Sequence, residues 1–190
     1  MAGTLKVGTI LSNGESTITL GQSGETITVP SGVTLSADSI GKLNHPAFRA
    51  YRASSQNISD NTETKVQIDT EDFDTDNCYD NSTNYRFTPT TAGKYFVYAQ
   101  VNCSSSVGED IHGATGLIKK NGSEIVRNGV DPHNGSKSNQ TYNYVATVVD
   151  MNGSTDYLEV FGQIDTSTGT PSFGDGTNQT YFGAYRLGVE

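Results

Sequence analysis

The sequence predicts an all-β protein: an antiparallel sandwich or barrel preceded by a short β-rich segment. Apolar and polar residues alternate with period two along most of the chain, and no window sustains the i, i+3, i+4, i+7 spacing of a helix. The alternating stretches are separated by Asn121-Gly122, Asn134-Gly135, Asn152-Gly153 and Gly174-Asp175-Gly176. Such residues accept the positive φ that tight hairpins require.

Residues 1–41 carry short, simple strands. Ser16-Thr17-Ile18-Thr19-Leu20 is followed by Glu25-Thr26-Ile27-Thr28-Val29, with Gly21-Gln22-Ser23-Gly24 between them. Pro30-Ser31-Gly32 then turns the chain into Val33-Thr34-Leu35. Each piece has apolar residues on one side and threonines on the other, and no single rung of this kind buries its apolar side alone. Stacked rungs, or three copies around an axis, would do so. Residues 1–41 are therefore expected to form a trimeric attachment stem, the other reading being a β-prone tail. Lys42 to Pro46 looks like a joint.

After the joint the strands are longer and more aromatic. Phe48 and Ala50 alternate with Arg49 and Tyr51, as Val66 and Ile68 do with their neighbours in KVQID and Tyr85 and Phe87 in NYRFT. From Lys94 to Cys103, Tyr95, Val97, Ala99 and Val101 share one face and Phe96 and Tyr98 the other. Both faces are apolar near the start, which predicts cover on both sides: a second sheet on one, a neighbouring subunit on the other. Further strands are expected over 115–120, 125–127, 142–149, 157–164 and 181–189.

The chain has 190 residues, enough for one good core. Its net charge of −9 disfavours nucleic acid and anionic membrane surfaces as partners. Only 17% of residues are charged, against about 25% in ordinary globular domains, so the surface is expected to be rich in Ser, Thr and Asn. The start, MAGTLKVGTI, holds no long apolar run and no cationic stretch; synthesis in a cytosol, without signal peptide or membrane insertion, is expected. On that expectation the N-x-S/T triplets, such as Asn57-Ile58-Ser59 and Asn81-Ser82-Thr83, read as polar loops rather than glycan acceptors. Cys78 and Cys103 are either two reduced, half-buried thiols or one bridge between neighbouring strands.

Catalytic patterns are missing. There is no G-x-S-x-G, HExxH, P-loop or GxGxxG, and neither cysteine has a base beside it in sequence. His45, His112 and His133 are scattered near turns, and Glu109-Asp110-Ile111-His112 is a weak metal candidate. The densest constellation is Glu71-Asp72-Phe73-Asp74-Thr75-Asp76. Carboxylates at Asp72, Asp74 and Asp76 have the alternate spacing that opens a calcium loop, but the central glycine is missing and Thr83 stands where a closing glutamate is needed. Two readings stay open: a solvated acidic link between strands, or a weak calcium site. No catalytic residue and no other cofactor is expected.

From about Pro46 to Gly188 the order of these pieces resembles the C1q/TNF-like family. PAFRAYR, Pro46 to Arg52, resembles its first strand. Tyr79-Asp80, Phe87-Thr88, Gly93 and Tyr95-Phe96 follow its Y-D, F-T, G-x-Y-F succession. Leu117 to Gly122 resembles a later strand with its Lys-Asn-Gly turn, Gly153 to Val160 its G-x-x-V strand entry, and Tyr181 to Leu187 its closing strand. The collagen stem of many animal members is absent, and the closing motif is one residue tighter. The resemblance implies a ten-stranded jelly roll over 46–190, assembled as a homotrimer through aromatic faces and used for recognition rather than catalysis. On it, Phe48, Tyr95, Phe96, Tyr98, Phe182 and Tyr185 are expected to build the core and the trimer contacts. Ten tyrosines without a tryptophan suit such contacts, since Tyr packs its ring and keeps its hydroxyl wet.

A rung-built stem, a cytosolic start and a C1q-like head are similar to phage fibre and head-appendage proteins. The expected function is a virion-surface appendage. Residues 1–41 would meet other virion proteins, and the head would meet a host-surface glycan or protein. The alternative is a freestanding bacterial lectin-like module.

Overall fold

The computed structural model describes residues 46–131 and 138–187, together with Ser31. The chain divides into Met1–Lys42 and Leu43–Glu190, and every element below belongs to the second unit. The expected stem, residues 1–41, lies outside the described residues apart from Ser31.

Among the described residues the chain forms thirteen strands: β1 Ala47–Tyr51, β2 Gln56–Asn57, β3 Thr64–Lys65, β4 Thr70–Asp74, β5 Tyr79–Asp80, β6 Arg86–Phe87, β7 Gly93–Ser105, β8 Ile111–Lys120, β9 Ser123–Val130, β10 Gln140–Met151, β11 Leu158–Thr166, β12 Pro171–Phe173 and β13 Tyr181–Arg186. They build two antiparallel sheets, and the ten expected strands are divided more finely. The first sheet holds β1, β2, β4, β7, β10, β12 and β13; the second holds β3, β5, β6, β8, β9 and β11.

β7 is the backbone of the first sheet. On one side it pairs with β10 from Gly93 to Ser104. On the other it pairs with β13 over its first half and β12 over its end. β13 then pairs with β1, and β1 with β4. In the second sheet β11 pairs with β8 on one side and with β3 and β6 on the other, and β9 closes the edge beyond β8.

Alternation fixes which residues meet between the sheets. Tyr95, Val97, Ala99, Val101 and Cys103 of β7 are fully buried, facing Ile118 of β8 and Leu158, Val160 and Ile164 of β11. One end of the core is aromatic. Phe48 stacks on Tyr79 and on Phe87, each at 4.6 Å between ring centroids, and meets Phe182 edge-on at 4.9 Å. The offset and edge contacts are those the ring quadrupole favours.

Three expectations shift. Val66 and Ile68 are buried as their spacing suggests, yet the strand spans only Thr64–Lys65: the Val66 N–H still donates to the Val160 oxygen, and the Ile68 N–H then turns back onto the Val66 oxygen. The stretch from Glu71 onward, read as a link, is partly strand. β4 pairs with β1 through a bulge, opposite the Arg49/Ala50 step, that leaves Asp72 as the extra residue. Its carboxylate forms an ion pair with Arg49. Pro171–Phe173, unmarked in the sequence, forms β12 because Phe173 fills the core.

Candidate interaction face

The outer face of the first sheet is built by residues of opposite parity to the core. In register, Val148 of β10, Phe96 of β7 and Tyr185 of β13 form one rung. Ala146, Tyr98 and Gly183 form the next, and Tyr144, Gln100 and Tyr181 the third. Tyr142 stands beside Asn102 at the far end. Tyr142, Tyr144, Val148 and Tyr185 are each about half exposed, at 46–51%.

The face is ordered by ring contacts of its own. Phe96 lies 5.4 Å from Tyr185 and 6.1 Å from Tyr98, and Tyr98 lies 6.2 Å from Tyr181. Gly183 makes this possible: a Cβ there would come within 2.4 Å of the Tyr98 ring. The Arg49 guanidinium covers Tyr181 at 5.0 Å, with its charge matched by Asp72. Burial raises the pKa of the Tyr98 and Tyr181 phenols while Arg49 pulls the other way. The result is a broad tyrosine-rich patch whose one central cation is already paired.

The aromatic residues marked in the sequence divide between two roles. Phe48, Tyr95 and Phe182 are core residues, fully buried between the sheets. Phe96, Tyr98 and Tyr185 belong to the outer face. Tyr142, Tyr144, Val148 and Tyr181 complete that face without having been marked. Their signal was parity: Tyr142, Tyr144, Ala146 and Val148 fall on one side of β10.

The acidic residues are separately engaged. Asp72 is paired with Arg49. Asp74 accepts hydrogen bonds from the backbone N–H of Asp76 at 3.1 Å and of Tyr79 at 2.7 Å, which shapes the turn into β5. Asp76 accepts from the Thr90 hydroxyl at 2.6 Å. Among the described residues no group of three His, Cys, Asp or Glu side chains is placed to hold a metal ion.

The two cysteines are unbridged and buried. Burial pushes the Cys103 thiol up to about 12, and Cys78 moves in the same direction. Thiols held protonated this way are poor nucleophiles. His112 Nε2 lies 2.5 Å from Ser167 Oγ, an arrangement that invites comparison with a nucleophile and base. The neighbouring N–H groups that would have to stabilise an oxyanion, from Ser167, Thr168 and Gly169, instead donate to the Asp110 carboxylate. The pair is a tie between β8 and the loop after β11.

No protein-family profile matches the chain, and no curated protein matches it. Solved structures do. One of murine APRIL superposes with a TM-score of 0.54 at 14% identity, covering 75% of this chain and 99% of that one. One of Eiger TNF from S. frugiperda superposes with a TM-score of 0.56 at 10% identity, covering 77% and 93%. Both are TNF-family jelly rolls, and at these identities the likeness is one of fold. The described residues of the chain have a C1q/TNF-like jelly-roll fold.

Proposed function

We propose that the chain is a non-enzymatic recognition module that assembles as a homotrimer through the outer face of the first sheet. One observation carries this reading: three in-register rungs of mainly aromatic and aliphatic side chains on β7, β10 and β13, about half exposed at Tyr144, Val148 and Tyr185, with no charged residue among them. Interface cores are enriched in Tyr and Phe and depleted of charge in this way. Three copies around an axis would cover both apolar faces of β7, the inner by the second sheet and the outer by a neighbour.

The trimer is read as the knob of a phage fibre or head appendage, made in the host cytoplasm and carried on the virion surface. Residues 1–41 hold it to other virion proteins, and the head meets a host-surface glycan or protein. The C1q/TNF-like head and the rung-like sequence of residues 1–41 support this placement. No cofactor is part of the reading; a calcium ion at Asp72, Asp74 and Asp76 would require Asp72 to leave Arg49.

Native mass spectrometry of the full chain tests the assembly: a species at three times 20.3 kDa is expected, and a stable single copy at micromolar concentration sinks it. Mass spectrometry of purified particles tests the placement. Absence of the chain from the particles would leave a freestanding bacterial binding module.

A further inference from the structure

On the outer face of the second sheet, remote from the aromatic rungs, β8, β9 and β11 enclose a cleft of about 200 Å³. It exists because side chains are missing. Thr115 of β8 faces Gly129 across the strand pair, and Gly113 is the next residue of β8 on the same face. Across the other pair, Gly113 faces Asp165 and Thr115 faces Gln163.

The polar groups around this cleft are incompletely used. The Thr115 hydroxyl oxygen, out of solvent contact, has no hydrogen-bond partner among the described residues. Gln163 donates both of its hydrogen bonds through Nε2 to Asn61, at 2.6 Å to Oδ1 and 3.1 Å to the backbone oxygen. That leaves Gln163 Oε1 as an acceptor and Asn61 Nδ2 as a donor. Asp165 adds a carboxylate with no ion pair among the described residues, and Asp131 also lines the cleft.

We propose that this cleft is a subsite for one ring of a neutral saccharide. The groups it offers are mostly acceptors, with one amide donor. A sugar's hydroxyls, each able to donate and accept, complement that set. The Asp165 carboxylate repels sialic and uronic acids. The size, below the roughly 300–1,000 Å³ of drug-sized pockets, suits a single polar ring. There is no aromatic platform, so one site binds weakly, and useful strength comes from three copies engaging one surface. The inference thereby rests on the trimeric recognition reading, and it leaves the trimer face free for its own contacts.

Gly113 supplies the test. A Cβ added there meets nothing nearer than the Asp165 Cβ at 3.7 Å, so a larger side chain fills the cleft without displacing the sheet. The full chain, Gly113→Val and Asp165→Asn would be fluorescently labelled and applied to an array of neutral, sialylated and uronic oligosaccharides. Native mass and melting temperature are recorded for each. The expected result is retention on neutral glycans, lowered at least tenfold in both variants, with mass and melting temperature unchanged in Gly113→Val. Retention that survives Gly113→Val overturns the cleft while leaving the recognition reading intact; so does retention on acidic glycans alone. No retention by a chain that is trimeric overturns the saccharide assignment. Calcium binding in a metal-only titration, lost in Asp165→Asn, overturns it in favour of a cation.

Discussion

Gly153 follows β10 at φ 68°, and a Cβ there would come within 2.2 Å of the Ala92 backbone nitrogen. Neither the dihedral nor the contact can relax without moving the start of β7. Gly153→Ala is expected to lower stability by about 2 kcal/mol or more, read from the urea midpoint. The thiols give a different signature. Burial keeps Cys103 protonated up to about 12 in the folded chain, whereas an unfolded thiol ionises near pH ~8.5. Above that pH the unfolded state releases a proton that the folded state retains, so stability falls as pH rises between those values, by up to about 1.4 kcal/mol per pH unit for each such thiol. Urea titrations at pH 7, 8.5 and 10 are expected to show this decline. Cys103→Ala with Cys78→Ala should flatten it, at the cost of some stability at pH 7. The buried tyrosines Tyr79 and Tyr95, whose ordinary value is near ~10, add to the decline only from about pH 10 upward. Neither behaviour was legible in the sequence. The Asn-Gly pair announced a turn at Gly153 but not that Ala92 lies against it. Two cysteines in a sequence do not say whether their strands bring them together.

β10 separates folding from association along a single strand. Val145 is 2% exposed and faces the second sheet, while Val148, three residues on, is 51% exposed on the outer face. Val145→Asp buries a charge without a partner and is expected to cost about 3–5 kcal/mol, enough to unfold many domains. Val148→Glu should leave the circular dichroism spectrum and the melting transition of a folded head, while shifting the native mass from trimer to single copy. A trimer persisting in Val148→Glu combined with Tyr185→Glu would move the interface elsewhere. The alternation of β10 and β7 is plain in the sequence. Which parity faces inward is not, because both faces are apolar: Tyr95 and Phe96 are neighbours, and only the second sheet decides that Tyr95 is the core residue. The short strands were hidden for a related reason. β3 and β5 have two residues each, too few for a period to show, and β4 carries the acidic composition of a loop while pairing with β1.

The jelly roll itself was readable because its strands recur in a fixed order with turn residues between them, and order survives where identity to solved structures has fallen to 10–14%. What a chain of this fold does is set by the surfaces left over once the core is made, and two such surfaces lie on opposite sheets here. The division at Lys42/Leu43 makes them separable from residues 1–41. All the described strands lie within 47–186, including the β1–β13 ladder that joins the two ends of the head. A chain beginning at Leu43 therefore retains every described core contact and the whole outer face of β7, β10 and β13. It is expected to melt cooperatively and to keep a threefold native mass, while no longer incorporating into particles that take up the full chain. A shortened chain found as a single copy would mean that residues 1–42, and not the aromatic rungs, hold three copies together. The tyrosines of the outer face would then be free to meet another partner.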